Sequence, residues 1–228
     1  MRLTVRFCVV VMAVVASVGG VLISRTDASI GTIPLKCDRA CLENVVSQWF
    51  KSIPPAQRMS RQELISIADG YFTGLQKNDG KGINGTGTYP FTEDCHRIEN
   101  GSPTTNVPRP QNEAPGTINA NAMDCLAQFK LGYYFIVQAI HGRRYPVVDT
   151  ERGIVWAHAV FDQGTVNSGV LSDGRPYSFG RGLFTRPSSI LVTEAFLIEN
   201  GKIRRVEMVG PGVTYHMNSP WPGGLSGN

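Results

Sequence analysis

The chain has 228 residues, and its 22 Lys and Arg against 18 Asp and Glu give a formal net charge of +4 at pH 7. With 42% hydrophobic residues and only 18% charged residues, the composition excludes a disordered, collagenous or coiled-coil protein. A chain this close to neutral does not indicate a nucleic-acid partner, which usually requires a strongly basic surface.

The first 28 residues have the pattern of a signal peptide. Arg2 and Arg6 precede an uncharged apolar stretch at residues 7–23, which matches the basic and apolar regions of an export signal. The stretch is also close to the lower length limit of a membrane-spanning helix, so an uncleaved anchor is the alternative. We expect a secreted or periplasmic protein with no membrane span once the leader is removed.

The cysteines that follow the leader indicate disulfide bonds. An even number of cysteines in an exported chain predicts two disulfides with three possible pairings. The four residues are Cys37, Cys41, Cys95 and Cys125. Because Cys37 and Cys41 stand four apart at a predicted helix start, their Cβ vectors run parallel, and each is expected to reach Cys95 or Cys125. A zinc site at Cys95 and His96 is the alternative, but neighbouring residues of a strand point to opposite faces, and we expect no metal.

Two amphipathic helices are predicted after the leader. The first covers residues 37–50, with an apolar stripe on one face, and Pro54-Pro55 ends it. Ser60-Arg61-Gln62-Glu63 is typical of a capping box and predicts the start of a second helix. The apolar positions of that helix recur at helical spacing, at Leu64, Ile67, Ala68, Tyr71, Phe72 and Leu75.

Loops separate these helices from the rest of the chain. The glycine-rich residues 79–87 follow no predicted strand, so they indicate a flexible loop rather than a phosphate-binding one. Residues 102–121 are rich in Pro, Asn and Thr and predict a long loop of the kind that forms a lid or a binding edge. Residues 218–228 predict a flexible tail.

The second half of the chain is predicted to be mostly strand. β-branched and aromatic residues concentrate at residues 91–98, 133–141, 153–162, 189–199 and 202–209. Helices followed by strands are typical of the α+β class. We therefore predict a single α+β domain over residues 36–217, with a bent antiparallel sheet that forms a cone and the N-terminal helices over its concave face. Such a cone would enclose a pocket.

Three short stretches carry a family resemblance. They are CDRACL at residues 37–42, IENG at residues 98–101 and FLIENGKI at residues 196–203. Together they resemble a family of exported fungal and bacterial proteins related to the SnoaL-like group of the nuclear-transport-factor-like superfamily. The resemblance implies the cone fold and cofactor-free isomerase, dehydratase, cyclase, epoxide hydrolase or aldol-type lyase chemistry on hydrophobic small molecules, although many members are not enzymes. The insertion between Gly101 and Cys125 departs from the simple pattern.

The closing hairpin predicts a pair of carboxylates. If Asn200-Gly201 is a two-residue turn, Glu194 stands opposite Glu207 and Phe196 stands opposite Arg205. Burial and the second carboxylate would both raise the pKa of Glu194. The two carboxylates are either a catalytic acid/base pair or a salt-bridged pair held by Arg205.

His158 is the other candidate for acid/base chemistry. It shares a strand face with Trp156, where it could act as a general base, or it is a hydrogen-bonded core histidine. The candidate catalytic residues are therefore His158, Glu194 and Glu207, and the candidate substrate-binding residues are Trp156, Tyr134, Phe196 and Arg205. We expect a hydrophobic small molecule as the partner, aromatic or polyketide-like, with no cofactor, and we leave a homodimer open. A cofactor-independent lyase, isomerase or dehydratase is one hypothesis, and a non-catalytic secreted binding or structural module is the other.

Overall fold

The computed structural model describes residues 47–114, 116–179 and 186–221, and these fold as an α+β domain, as predicted. They belong to one compact unit. The predicted leader at residues 1–28, Cys37, Cys41 and residues 222–228 of the predicted tail lie outside the described residues. No helix in the described ranges is long and apolar enough to cross a membrane.

Helix α1 spans Arg61–Leu75 and helix α2 spans Cys125–Leu131. Residues 47–50 are also helical, and 3-10 turns occur at Pro55–Gln57, Ile83–Gly85, Ala120–Ala122 and Tyr133–Ile136. The strands are β1 (Phe91–Glu99), β2 (Ser102–Pro103), β3 (Val137–Asp149), β4 (Ile154–Gln163), β5 (Ser168–Val170), β6 (Pro176–Ser178), β7 (Ser188–Glu199), β8 (Lys202–Val209) and β9 (Gly212–Val213).

One mixed sheet organises the described residues. Its strand order is β2-β1-β8-β7-β4-β3, with the short β9 paired to β7. All pairs are antiparallel except β1 with β8, which are parallel. A parallel pair needs a long crossover connection, and the hundred or so residues between these two strands supply it. Strands β5 and β6 form a separate two-stranded ribbon.

Helix α1 covers one face of the sheet, which we call the inner face. The predicted capping box is confirmed, because the Ser60 hydroxyl accepts from the Glu63 backbone N–H and the Glu63 carboxylate accepts from the Ser60 backbone N–H. The aromatic rings of α1 pack against Phe161 of β4 and Phe196 of β7, so the core lies between the helix and the inner face. The residues that α1 buries are Leu64, Ala68, Tyr71, Phe72, Gly74 and Leu75.

The predicted register of the closing hairpin is wrong beyond its first pairs. Asn200 and Gly201 both have positive φ and form the expected turn, and Ile198 pairs with Ile203 as predicted. A β-bulge then inserts one extra residue into β8, so the next pair is Leu197 with Arg205. Every later residue of β8 is therefore moved to the opposite face from the one predicted.

The disulfide pairing also differs from the prediction. Cys95 of β1 is bonded to Cys125 at the start of α2, with the two Cα atoms 5.7 Å apart. The expectation that Cys37 and Cys41 reach these two cysteines is therefore wrong, because both sulfurs are already used. The zinc alternative fails for the same reason, since the Cys95 thiolate is not available as a ligand. The bond ties α2 to the sheet across a sequence separation of 30 residues.

The face of the sheet opposite to α1, which we call the outer face, is contacted by both ends of the described chain. The Trp49 indole N–H donates to the Glu207 carboxylate at 3.3 Å, and Trp221 stacks on the His158 ring with the centroids 4.8 Å apart. Trp156, on the same face, remains 43% exposed.

Candidate active site

A buried carboxyl group lies on the inner face of the sheet. Glu194 sits on β7 between Val192 and Phe196 and is 1% exposed. The Tyr71 hydroxyl of α1 donates to Glu194 Oε1 at 3.1 Å. Helix α1 therefore positions the tyrosine over the strand that carries the carboxyl group, and the capping box at Ser60 fixes where this helix starts.

Burial raises the pKa of Glu194 to about 8. The positive charge of Arg97 and the hydrogen bond from Tyr71 act in the opposite direction, while the negative charge of Glu99 adds to the rise. The predicted effect of burial is thus confirmed, but the second carboxylate that contributes is Glu99 rather than Glu207. At neutral pH, Glu194 is mostly protonated.

One oxygen of Glu194 has no partner in the described part of the chain. Oε2 is buried and makes no hydrogen bond there, although Oε1 is bonded to Tyr71. The great majority of buried polar atoms are hydrogen-bonded, so this oxygen is an exception that retains the capacity for one further hydrogen bond.

Arg97 is another buried ionisable residue of the inner face. It lies on β1, is 3% exposed, and its Nη2 donates to Glu99 Oε1 at 2.5 Å. Its Nη1 donates to Gln128 Oε1 at 3.1 Å and also to the Tyr134 hydroxyl. The guanidinium carbon is 4.8 Å from the centroid of the Tyr134 ring, within cation–π distance.

These groups form a polar path from the surface to the interior. Glu99 is 29% exposed in its side chain and binds Arg97, which in turn lies 5.7 Å from the centroid of the Tyr71 ring. Burial raises the pKa of Tyr71 well above its usual value, so the phenol keeps its proton and acts as a donor. The interior therefore combines a permanent cation, a neutral hydrogen-bond donor and a carboxyl group that titrates near neutrality.

His158 and Glu194 lie on opposite faces of the sheet. His158 pairs with Thr193, one residue before Glu194 on β7, so its side chain points to the outer face. There its Nδ1 is 3.0 Å from the Thr193 hydroxyl, and burial lowers its pKa. The structure therefore does not bring His158 and Glu194 together.

Glu207 is also separated from Glu194. The bulge pairs Glu194 with Met208 and Glu207 with Ala195, so the predicted carboxylate pair does not form. Arg205 Nε donates to Glu207 Oε1 at 2.5 Å. Arg205 therefore binds Glu207 on the outer face and does not bridge the two carboxylates.

The four predicted substrate-binding residues divide between the faces. Phe196 is fully buried on the inner face, with its ring centroid 5.1 Å from that of Tyr71, and Tyr134 joins the Arg97 cluster. Trp156 and Arg205 lie on the outer face, away from Glu194.

Sequence reasoning missed Tyr71 and Arg97. The sequence pattern places Tyr71 only in the apolar stripe of the second predicted helix, and Arg97 only in the predicted strand at residues 91–98. The pattern of β1 held a usable signal, since Cys95 and Arg97 stand two apart and share a strand face. A cysteine that is expected to be buried would then have placed Arg97 in the interior as well.

No group of three His, Cys, Asp or Glu side chains that could hold a metal ion is found within residues 47–114, 116–179 and 186–221. The polar cluster around Arg97 and Glu194 contains acceptor oxygens but also a fixed positive charge, which is unsuited to a cation. The arrangement is suited to hydrogen bonding and proton transfer instead.

The fold and the interior site define an α+β domain with a titratable carboxyl group buried between a helix and a mixed sheet. A family model described as "Domain of unknown function (DUF8021)" matches residues 57–210. The chain belongs to this family. Comparison with the curated proteins gives no match.

Among solved structures, the chain is similar to a de novo designed protein with a curved β-sheet (TM-score 0.35, 11% identity, covering 67% of this chain and 88% of that one). It is similar to a Bacillus subtilis protein assigned as an isomerase, with a TM-score of 0.36 and 12% identity, and the match covers 66% of this chain and 87% of that one. It is also similar to a chain of the C. albicans Mtr2-Mex67 M domain complex, with a TM-score of 0.36 and 14% identity, and the match covers 69% of this chain and 98% of that one. TM-scores this low carry no functional argument.

Proposed function

We propose that the protein is an exported cone protein that binds a small hydrophobic molecule at Glu194 and transfers a proton to or from it. The observation that carries this proposal is the buried Oε2 atom of Glu194, which has no hydrogen-bond partner in the described residues. The ligand is an apolar ring compound with one carbonyl or hydroxyl group, because the surroundings of Glu194 are aromatic and offer few further polar partners.

The pKa of Glu194 suits it to acid/base catalysis. A group is most effective when its pKa lies near the working pH, since both protonation states are then accessible. With its pKa raised to about 8, the Glu194 carboxylate is a stronger base than an ordinary carboxylate. It would accept a proton from a carbon next to a carbonyl group and return it to the same or a neighbouring carbon, so that no cofactor is consumed.

Tyr71 and Arg97 supply the complementary electrostatics. The Tyr71 hydroxyl donates to Glu194 Oε1 at 3.1 Å, so it orients the carboxyl group and leaves Oε2 free for the substrate proton. Arg97 adds a positive charge that is shielded from water. In a low-dielectric interior both effects are stronger than they would be in water.

The test uses α-tetralone, an aromatic ketone with exchangeable protons next to its carbonyl group. We expect the full mature chain to accelerate deuterium uptake at that carbon, as followed by proton NMR. Glu194→Gln should abolish the acceleration, whereas Glu207→Gln, on the outer face, should retain it. Equal rates for the wild type and Glu194→Gln would contradict the proposal.

A second candidate is a non-catalytic binding or structural module, and the packing of the interior favours it. The Tyr71 ring lies within about 6 Å of the rings of Phe72, Phe91, Phe129 and Phe196, so the protein's own side chains occupy much of the space near Glu194. For this candidate we expect no acceleration of deuterium uptake by α-tetralone, with equal rates for the wild type and Glu194→Gln.

A further inference from the structure

A cavity that Glu194 does not line lies where the long loop before α2 meets the tyrosines after it. The cavity has a volume of about 240 Å³. Its lining is rich in neutral polar groups, with Glu113, Thr117, Asn119, Asn121, Tyr133 and Tyr177 as the polar side chains. This region takes no part in the proton-transfer function proposed above.

The charges of this cavity argue against a charged ligand. Glu113 accepts from Arg109, and its other oxygen accepts from the Asn119 side-chain amide at 2.7 Å. The carboxylate is therefore already neutralised. Among the described residues, the lining contains no Lys, Arg or His that could bind an anion.

Two polar side chains of the lining are available to a ligand. The Thr117 hydroxyl and the Asn121 amide make no hydrogen bond in the described part of the chain, and both residues are exposed. The backbone of both residues is nevertheless held in place. The Thr117 backbone N–H donates to the Ala114 backbone carbonyl, and the Asn121 backbone carbonyl accepts from the Val107 backbone N–H at 2.8 Å. Their side chains thus project from fixed backbone positions, which reduces the entropy that binding would cost.

Tyrosine rings form the apolar part of the same cavity. The centroid of Tyr133 lies 5.3 Å from that of Tyr177 and 5.0 Å from that of Phe179, so the rings support one another. Tyr177 also lines a neighbouring cavity of about 480 Å³ along β5 and β6, together with Val170 and Pro176. A partly exposed ring beside neutral donors and acceptors matches a ligand that has both an apolar face and a rim of hydroxyl groups.

We propose that this cavity is a binding site for a neutral saccharide. One sugar ring occupies the polar cavity, its hydroxyl groups bond to Thr117 and Asn121, and its C–H face packs on Tyr177. The volume is smaller than the roughly 300–1,000 Å³ typical of sites for drug-sized ligands, which fits a single ring. A second sugar unit continues past Tyr177 along the β5–β6 ribbon.

The test is a titration of the isotope-labelled mature protein, followed by NMR, with cellobiose, maltose, lactose and N,N′-diacetylchitobiose at millimolar concentrations. At least one of the four should give saturable shifts at Asn121 and Tyr177. Tyr177→Ala should weaken that binding about tenfold and Asn121→Ala roughly threefold to tenfold, as expected for a lost ring contact and a lost hydrogen bond. Tyr215→Ala, a matched tyrosine deletion in the C-terminal segment, should leave the affinity unchanged.

Three outcomes would overturn the proposal. They are the absence of saturable shifts with all four sugars, unchanged binding in both Tyr177→Ala and Asn121→Ala, and tighter binding of benzoate than of any sugar at the same residues. If Tyr177→Ala has a lower melting temperature than the wild type, its weaker binding could reflect a damaged fold. Tyr177→Phe and Asn121→Ala then test the sugar site instead. Tyr177→Phe keeps the ring and should retain most of the affinity.

Discussion

Replacing Glu194 by Gln should remove a pH dependence of stability that the buried carboxyl group imposes on the protein. Folding raises the pKa of Glu194 from its ordinary 4.5 to about 8. Between these values the folded protein holds a proton that the unfolded chain releases, so the contribution of Glu194 to stability is highest below about pH 4.5 and falls as the pH rises towards 8. Above pH 8 the full cost of the buried charge is present.

The size of the effect follows from the pKa difference. Each pH unit inside this window changes the free energy of unfolding by about 1.4 kcal/mol, so the contribution of Glu194 changes by about 3 kcal/mol between pH 5 and pH 7. For a domain of this size that corresponds to roughly 6–12 °C in melting temperature. Glu194→Gln keeps the shape of the side chain but cannot ionise. Its stability relative to the wild type should therefore increase across the window.

The assay is urea unfolding of the wild type and Glu194→Gln at several pH values from about 5 to about 8. Because other groups titrate equally in both proteins, the difference between the two free energies isolates Glu194. Glu207→Gln is the matched control, since that side chain is 37% exposed and lies on the outer face. A difference between wild type and Glu194→Gln that stays constant from pH 5 to pH 8 would contradict a raised pKa of Glu194 in the folded protein.

Three further predictions concern the contacts around this site. Tyr71→Phe removes the hydrogen bond that lowers the pKa of Glu194, so this pKa should rise further and the fall of stability with pH should continue to higher pH. Urea unfolding of Tyr71→Phe at pH 5 should show a free energy of unfolding about 1 kcal/mol below that of the wild type. Cys95→Ala/Cys125→Ala should lower the unfolding free energy by about 3–4 kcal/mol, as expected for opening a covalent link across 30 residues, and a loss below about 1 kcal/mol would contradict a structural role. Ser60→Ala should cost about 1 kcal/mol in thermal melts because it removes the cap of α1, whereas Ser60→Asp, which preserves an acceptor, should be nearly neutral.

The sequence was sufficient to predict the elements whose signals are local. The capping box at Ser60 and the helical spacing of Leu64, Ala68 and Phe72 depend on residues within four positions of one another, and α1 starts where they indicate. The Asn200-Gly201 turn is local as well, since both residues adopt the positive φ that this dipeptide favours.

The parts that sequence reasoning missed depend on contacts between distant segments. The bulge in β8 is not required by any residue type at the turn, yet it moves Glu207 to the outer face and leaves Glu194 beside Tyr71. The pairing of Cys95 with Cys125 depends on where α2 crosses the sheet, which cysteine spacing does not specify. The prediction of a buried, perturbed Glu194 was nonetheless correct, because it required only the apolar row of β7.

The proposed acid/base role of Glu194 depends most on a carboxyl group that keeps its proton at neutral pH inside the domain. Carbon-13 NMR of the side-chain carboxyl groups, with the Glu194 resonance assigned by comparison with Glu194→Gln, measures this pKa directly. We expect a single titration with a midpoint of about 8. A midpoint at or below the ordinary value of 4.5 would show that Glu194 is charged at neutral pH and would contradict the proposed acid/base role.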